Sequence, residues 1–301
     1  MANEDLTSLR SWYADEIGWA SGVVEASILK AFARVPREDY LPPGPWLLST
    51  AMTPEPFRKT SDADPHHLYH NVVVAIDPDR DLSSALPSYM ALLLDLAHLQ
   101  PGACVGHIGA GLGYYSAIMA ELVGDSGSII ALELDPTLAD LATRNLKDYS
   151  NVQCLCADGS SYTFLPRSLD ALIISAGASI VQRCWLESLR QGGCLIVPLF
   201  LSESELGQVA RITRRGERFR VEFIMDTIVY PCIGSCDSDS GHLLREAVET
   251  FGWYSDAELR LDVENADQSA WIVTPSYWIS MIEVEGDPTA QMAPNEIVAV
   301  R

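Results

Sequence analysis

The chain has 301 residues, 48% of them hydrophobic, which suits a buried core and excludes global disorder. Its formal net charge of −21 creates a field that repels phosphate backbones, so nucleic acid is not an expected partner. No window reaches the roughly 18 apolar residues that span a bilayer, and MANEDLTSLRSW has no basic stretch followed by an apolar one, so neither a membrane partner nor a secretory leader is expected.

Residues 6–20 and 22–35 are predicted helices; in the second, Val24, Ile28, Phe32 and Val35 fall near one face, and Pro36 ends it. PREDYLPPGPW (36–46) is an extended, proline-stiffened link, followed by a polar loop over 47–65. HNVVVAIDPDRD (70–81) reads as a short buried strand and a turn. LPSYMALLLDLAHL (86–99) reads as an apolar helix with Pro87 in its first turn. Strands and helices then alternate: ACVGHIG, the helix GYYSAIMAELVG, SIIALELD, the helix PTLADLATRNLKDY, NVQCLCAD, LDALIISAG, a helix through VQRCWLESLRQGG, and CLIVPLF. That rhythm predicts an α/β fold, a Rossmann-like, doubly wound, mainly parallel sheet with helices on both faces.

After residue 201 the pattern changes. GQVARITRRGERFRVEFIMDTIVYP predicts an antiparallel pair turning at Arg214–Glu217, and a helix is expected over 242–254. Further strands are expected in AELRLDVEN and SAWIVTPSYWISMIEV, with a loose tail from about Gly286. The expected division is an N-terminal helical segment (1–60), a core (61–205) and a C-terminal α+β extension (206–301). Seven cysteines, an odd number with Cys104 and Cys194 inside apolar runs, fit reduced core thiols in a cytoplasmic chain. Cys232, Cys236 and His242 lack a fourth ligand at finger-like spacing, and His66, His67 and His70 read as a solvated loop, so no metal is expected.

The sharpest local feature is VGHIGAGLGYYSAIMA (105–120). A strand ends in Gly109-Ala110-Gly111-Leu112-Gly113 and a helix follows. Glycines there let the backbone turn tightly and approach a ligand, and the helix start offers free N–H groups. The spacing is G-x-G-x-G, whereas a dinucleotide pyrophosphate calls for G-x-G-x-x-G. Glu133 ends the next strand, twenty positions after Gly113, where a carboxylate can accept from ribose hydroxyls. Asp158-Gly159 ends the third strand, where a carboxylate can bind an adenine amino group. In a doubly wound sheet all three strand ends share one crevice. The expected cofactor is therefore S-adenosyl-L-methionine, held by Gly109, Ala110, Gly111, Gly113, Glu133, Asp158 and Gly159. Tyr114–Tyr115 and Trp46 read as packing residues, with Tyr114 also a candidate wall of the donor pocket.

VPREDYLPPG, LSSALPSYMALLLDLAHLQPG, GHIGAGLGYYSAIMAELVG, NVQCLCADG, LDALIISAGA and LRQGGCLIVPL occur in an order that resembles the protein-L-isoaspartate O-methyltransferases, over roughly residues 24–200. The resemblance implies a class I S-adenosylmethionine-dependent methyltransferase that esterifies an isoaspartyl or aspartyl carboxylate of a peptide or protein. It implies Ser84 or Ser83, with Pro87, on the substrate side, and Ser83 and Ser84 as the catalytic pair. A carboxylate is already ionised at neutral pH and needs no general base. Hydroxyl donors can orient it without quenching it. Ser84-Ala85-Leu86-Pro87 is one residue longer than the usual Ser-x-Pro, AIDPDRD (75–81) replaces a glycine-rich stretch, and His107 stands where an acid usually opens the glycine motif. His107 is read as a packed histidine bonded to the backbone, or alternatively as a residue that positions the donor's amino-acid tail. Other readings remain open beside this one: a non-catalytic adaptor of the same fold, a methyltransferase for a small natural product, and a nicotinamide oxidoreductase, against which the glycine spacing argues. The oligomeric state is not readable.

Overall fold

The computed structural model describes residues 3–50, 57–80, 82–201, 206–228, 232, 234–236, 238–253 and 256–281. The chain opens with a helical hairpin, α1 (Asn3–Ser21) and α2 (Ala26–Arg34). Gly22 closes α1 at a φ of 74°, and the Glu25 carboxylate caps α2 by accepting from the Ser27 amide at 3.2 Å. Tyr13, Ile17, Ile28, Phe32 and Val35 are buried together. Val24 departs from the expected stripe: it lies in the link before α2 and is 91% exposed.

A small antiparallel sheet follows, built from β1 (Leu47–Ser49), β2 (Arg58–Lys59), β3 (Val73–Asp77) and β4 (Leu82–Ser83) in the order β2-β1-β3-β4. The stretch expected as a polar loop over 47–65 therefore holds two short strands. They are anchored where Trp46, Leu68 and Val74 form a satellite core. The turn at Pro78–Arg80 folds β4 back on β3, pairing Ala75 with Ser83.

Next come α3 (Pro87–Ala97), β5 (Cys104–Ile108), α4 (Tyr114–Val123), β6 (Ser128–Glu133), α5 (Pro136–Asn145), β7 (Val152–Cys156), β8 (Leu169–Ile174), α6 (Arg183–Ser188) and β9 (Leu189–Phe200). Among the described residues these are followed by β10 (Leu206–Arg215), β11 (Arg218–Ile228), α7 (Ser238–Phe251), β12 (Ala257–Arg260), β13 (Ala270–Val273) and β14 (Trp278–Met281). Among the described residues ten strands form one sheet in the order β13-β14-β12-β11-β10-β9-β8-β5-β6-β7. The pairs β5·β6, β6·β7, β5·β8 and β8·β9 are parallel; from β9 outward through β10 every pair is antiparallel. The fold is the expected α/β type, and the chain after residue 205 continues the same sheet through β10.

Alternation along β8 sends Ala171 and Ile173 into the core under α1–α4, and Leu172 and Ile174 into the core shared with α6 and α7. Burial on both faces is why these strands read as unbroken apolar runs. The helix expected through VQRCWLESLRQGG stops at Ser188, and β9 begins at Leu189, which pairs with Leu169. Gly193 is needed in that stretch, since a Cβ there would sit 2.6 Å from the Leu169 carbonyl oxygen.

Candidate active site

The parallel strands deliver their C-terminal ends to one rim. After β5, Gly109, Gly111 and Gly113 take φ values of 82°, 57° and 93°, a region that side chains disfavour. The loop is pinned to β6 by the Gly109 and Ala110 amides, which donate to the Leu132 carbonyl at 2.9 and 3.0 Å. At the end of β6, Glu133 Oε2 accepts from the Gly111 amide at 2.7 Å and Oε1 from the Asp135 amide at 3.0 Å. Asp135 in turn caps α5, accepting from Thr137 and Leu138, and meets Arg80 Nη2 at 2.6 Å. A Cβ at Gly111 would meet nothing within 4 Å, so the loop is open on that side.

Beyond β7, Asp158 Oδ1 accepts from the Ser160 hydroxyl at 2.7 Å and the Ser160 amide at 2.8 Å. These bonds hold its carboxyl below the usual range. Gly159 is needed for close approach: a Cβ there would lie 2.4 Å from Ile108 Cγ2. Its carbonyl accepts from Trp185 Nε1 at 2.8 Å. Sequence reasoning missed what lies over this corner. A Cβ at Gly234 would stand 2.3 Å from Ser160 Oγ and 3.5 Å from Asp158 Oδ2. The Cys232 amide donates to the Gly177 carbonyl at 2.6 Å, tying that segment to the loop after β8.

A cavity of about 90 Å³ opens beside the glycine loop. Gly109, Ala110 and Gly111 line it on one side, and Ser83 and Ser84 on another. Arg37, Tyr40, Tyr114 and Tyr115 also face it. Thus Ser83, Ser84 and the first half of the glycine loop meet at one cavity. Glu133 adjoins it through the Gly111 amide, whereas Gly113, Asp158 and Gly159 stand outside its lining. Ser84 Oγ accepts from the buried Val74 amide at 3.0 Å and from Arg37 Nη2 at 3.3 Å, which leaves the hydroxyl proton to donate.

A family model described as protein-L-isoaspartate(D-aspartate) O-methyltransferase matches residues 18–235. The chain belongs to this family. A protein-L-isoaspartate O-methyltransferase of Methanothrix thermoacetophila is 30% identical over 213 residues, 70% of this chain and 90% of that protein. One of Aliivibrio salmonicida is 29% identical over 226 residues, 74% of this chain and 96% of its own. A solved protein-L-isoaspartate O-methyltransferase superposes with a TM-score of 0.60 at 20% identity, covering 89% of this chain and 88% of that one. A Plasmodium falciparum structure of the same description, in complex with S-adenosyl-L-homocysteine, gives 0.59 at 17% identity, covering 75% and 98%. Among the described residues, α7 and the strands β12–β14 lie beyond the family-matched segment.

Inside the family frame, His107 is fully buried and bonds to side chains, not to the backbone as one reading expected: Nδ1 meets Ser116 Oγ at 2.8 Å and Nε2 meets Ser175 Oγ at 2.9 Å. Burial lowers its pKa to about 4, so the ring is neutral, donating to one serine and accepting from the other. Ser175 lines the cavity, so His107 stands one hydroxyl away from it. The sequence identified Arg37 only as part of a family landmark. In the fold it is buried, with Nη1 donating to the Leu68 and His70 carbonyls at 2.9 and 3.3 Å and Nη2 to the Val72 carbonyl at 2.7 Å.

His66 and His67 stand beside Asp64 and Asp62 at 3.1 and 2.9 Å, and His70 beside Glu16 at 3.6 Å. Among the described residues no group of three His, Cys, Asp or Glu side chains is placed to hold a metal ion. Among them, too, no helix is long and apolar enough to cross a membrane.

Proposed function

We propose that this protein is an S-adenosyl-L-methionine-dependent methyltransferase that esterifies an isoaspartyl- or aspartyl-type carboxylate of a peptide or protein. The observation that carries the reading is that Ser83 and Ser84 line the same cavity as Gly109, Ala110 and Gly111. Family membership supplies the donor and the acceptor class.

The residues present fit the donor. Gly111 leaves open space beside a backbone that a side chain would strain. Glu133 is an acceptor-only group, and each of its oxygens keeps a lone pair after taking one amide, which suits a ribose diol. Glu133 would hold the ribose hydroxyls, Asp158 the adenine amino group, and Gly109, Ala110 and Gly111 the amino-acid tail, with Gly113 and Gly159 shaping the two turns. When bound there, S-adenosyl-L-methionine supplies a methyl group on a sulfonium, open to in-line displacement by a carboxylate oxygen.

The protein's own residues orient and shield. The free hydroxyl proton of Ser84 donates to one carboxylate oxygen and leaves the other as nucleophile; Ser83 is the second donor on the same wall. Tyr40, Tyr114 and Tyr115 exclude water. Holding the reacting atoms in line contributes roughly 7–11 kcal/mol of the barrier reduction. Incubating a panel of isoaspartyl and aspartyl peptides with enzyme and donor tests the reading by mass spectrometry. The expected result is a gain of one methyl that mild base removes. No gain on any peptide, from protein that binds S-adenosyl-L-homocysteine in a calorimeter, would count against the acceptor class.

A further inference from the structure

We propose that Arg37 is a positioning residue for the acceptor: its buried guanidinium holds Ser84 and places an unpaired positive charge at the cavity, which selects an ionised carboxylate over its neutral amide or ester. This deepens the methyltransferase reading and rests on it.

Arg37 is 1% exposed and lines the cavity. Its four hydrogen bonds all go to neutral acceptors, namely three main-chain carbonyls and Ser84 Oγ. Nε is buried with no hydrogen-bond partner among the described residues. The neighbouring Glu38 is engaged elsewhere, by Arg10 at 3.6 Å and by the Tyr69 hydroxyl, and among the described residues no carboxylate is paired with Arg37. The rings of Tyr13 and Tyr114 each lie 5.9 Å from the guanidinium carbon. Their faces favour a cation, but burial pushes both phenols upward, so neither supplies a negative charge at neutral pH.

A buried ion without a counter-ion is costly, and carbonyl dipoles offset only part of that cost. A ligand that brings one negative charge into the cavity recovers the remainder. Because both Nη atoms already serve carbonyls and Ser84, the arginine does not grip the carboxylate as a two-pronged fork. It acts by its field and by fixing Ser84, leaving an oxygen lone pair free to attack. After transfer the acceptor is a neutral ester, the attraction is gone, and the product leaves the same pocket that drew in the substrate.

The test uses the full chain loaded with S-adenosyl-L-homocysteine and two calorimetric probes, an isoaspartyl hexapeptide and the same peptide with the free α-carboxyl of its isoaspartyl residue converted to an amide. The wild type is expected to bind the carboxylate peptide about 50-fold more tightly than the amide, and Arg37→Met to collapse that ratio below about 5-fold. In turnover, Arg37→Met raises KM for the peptide far more than it lowers kcat, while affinity for S-adenosyl-L-homocysteine stays within about threefold and Arg37→Lys restores most of the ratio. An unchanged ratio in Arg37→Met overturns the inference and leaves the methyltransferase reading intact. If Arg37→Met does not fold, the wild type and Arg37→Lys decide, and a wild-type ratio below about 5-fold overturns it. Failure of the carboxylate peptide to bind, in protein that holds S-adenosyl-L-homocysteine, overturns the acceptor reading and this inference together. Failure to bind S-adenosyl-L-homocysteine overturns the donor reading.

Discussion

Glu133 Oε2 accepts a hydrogen bond from the Gly111 amide at 2.7 Å, so the acid at the end of one strand holds the turn at the end of its neighbour. The same carboxylate serves the proposed donor site twice, as an acceptor for the nucleoside and as a brace for the loop. Glu133→Gln keeps one acceptor oxygen but turns an N–H₂ toward an amide that needs one. With charge-assisted hydrogen bonds contributing about 1.5–3 kcal/mol each, affinity for S-adenosyl-L-homocysteine is expected to fall about 10- to 100-fold. Isothermal calorimetry on both forms checks this, and equal affinities would remove Glu133 from the site.

Gly111 combines a φ of 57° with open space where a Cβ would project. Valine at 111 pays for the left-handed backbone, roughly 1–2 kcal/mol, and puts a branched side chain into the proposed donor site. Gly111→Val is expected to fold with a modestly lower Tm and to show no measurable donor binding. Tight binding by this variant would relocate the site.

Ser84 has a structural duty as well as the proposed chemical one. Removing its hydroxyl strips the buried Val74 amide of an acceptor, at a cost of about 1–3 kcal/mol in stability. Ser83 lines the same cavity. The double variant Ser83→Ala with Ser84→Ala is therefore expected to be less stable in urea, to keep donor affinity, and to lose transfer rate by 100-fold or more, about 3 kcal/mol. Normal turnover in that variant would refute a substrate role for the pair.

His107 gives a pH signature. Burial lowers its folded-state pKa to about 4, against about 6.5 unfolded. Between those values the unfolded chain binds more protons than the folded one, so stability rises with pH through that window. Relative to pH 7, about 2 kcal/mol is expected to be lost at pH 5. His107→Asn should flatten this part of the profile in urea titrations at the two pH values. An equal pH dependence in the variant would mean that other groups carry it.

The alternating elements from β5 to β9 were legible because strands buried on both faces announce themselves as apolar runs, and because glycines punctuate their ends. Leu47–Ser49 and Arg58–Lys59 were not, since two or three residues cannot display a period; Leu47–Ser49 pairs with β3, about twenty-five residues further along, and Arg58–Lys59 pairs with Leu47–Ser49. The boundary at Ser188 was hidden because VQRCWLESLRQGG suits a helix locally, while Leu189 is claimed by Leu169 across the sheet. Arg37 was visible as a motif letter, but its environment is made by carbonyls at 68, 70 and 72, which only the folded chain brings to it. His107 stands out in the sequence as a histidine in an acid's usual place, yet its partners Ser116 and Ser175 come from a helix and from the end of a different strand.

The Tyr277 hydroxyl accepts from the Val181 amide at 3.2 Å, and β12 covers β11 from Arg218 to Val221. Both contacts come from chain beyond the family-matched segment, and Val181 belongs to the loop that leaves Ser175 at the cavity. A protein cut after residue 236 would therefore bare a strand edge prone to self-association and release one anchor of the rim.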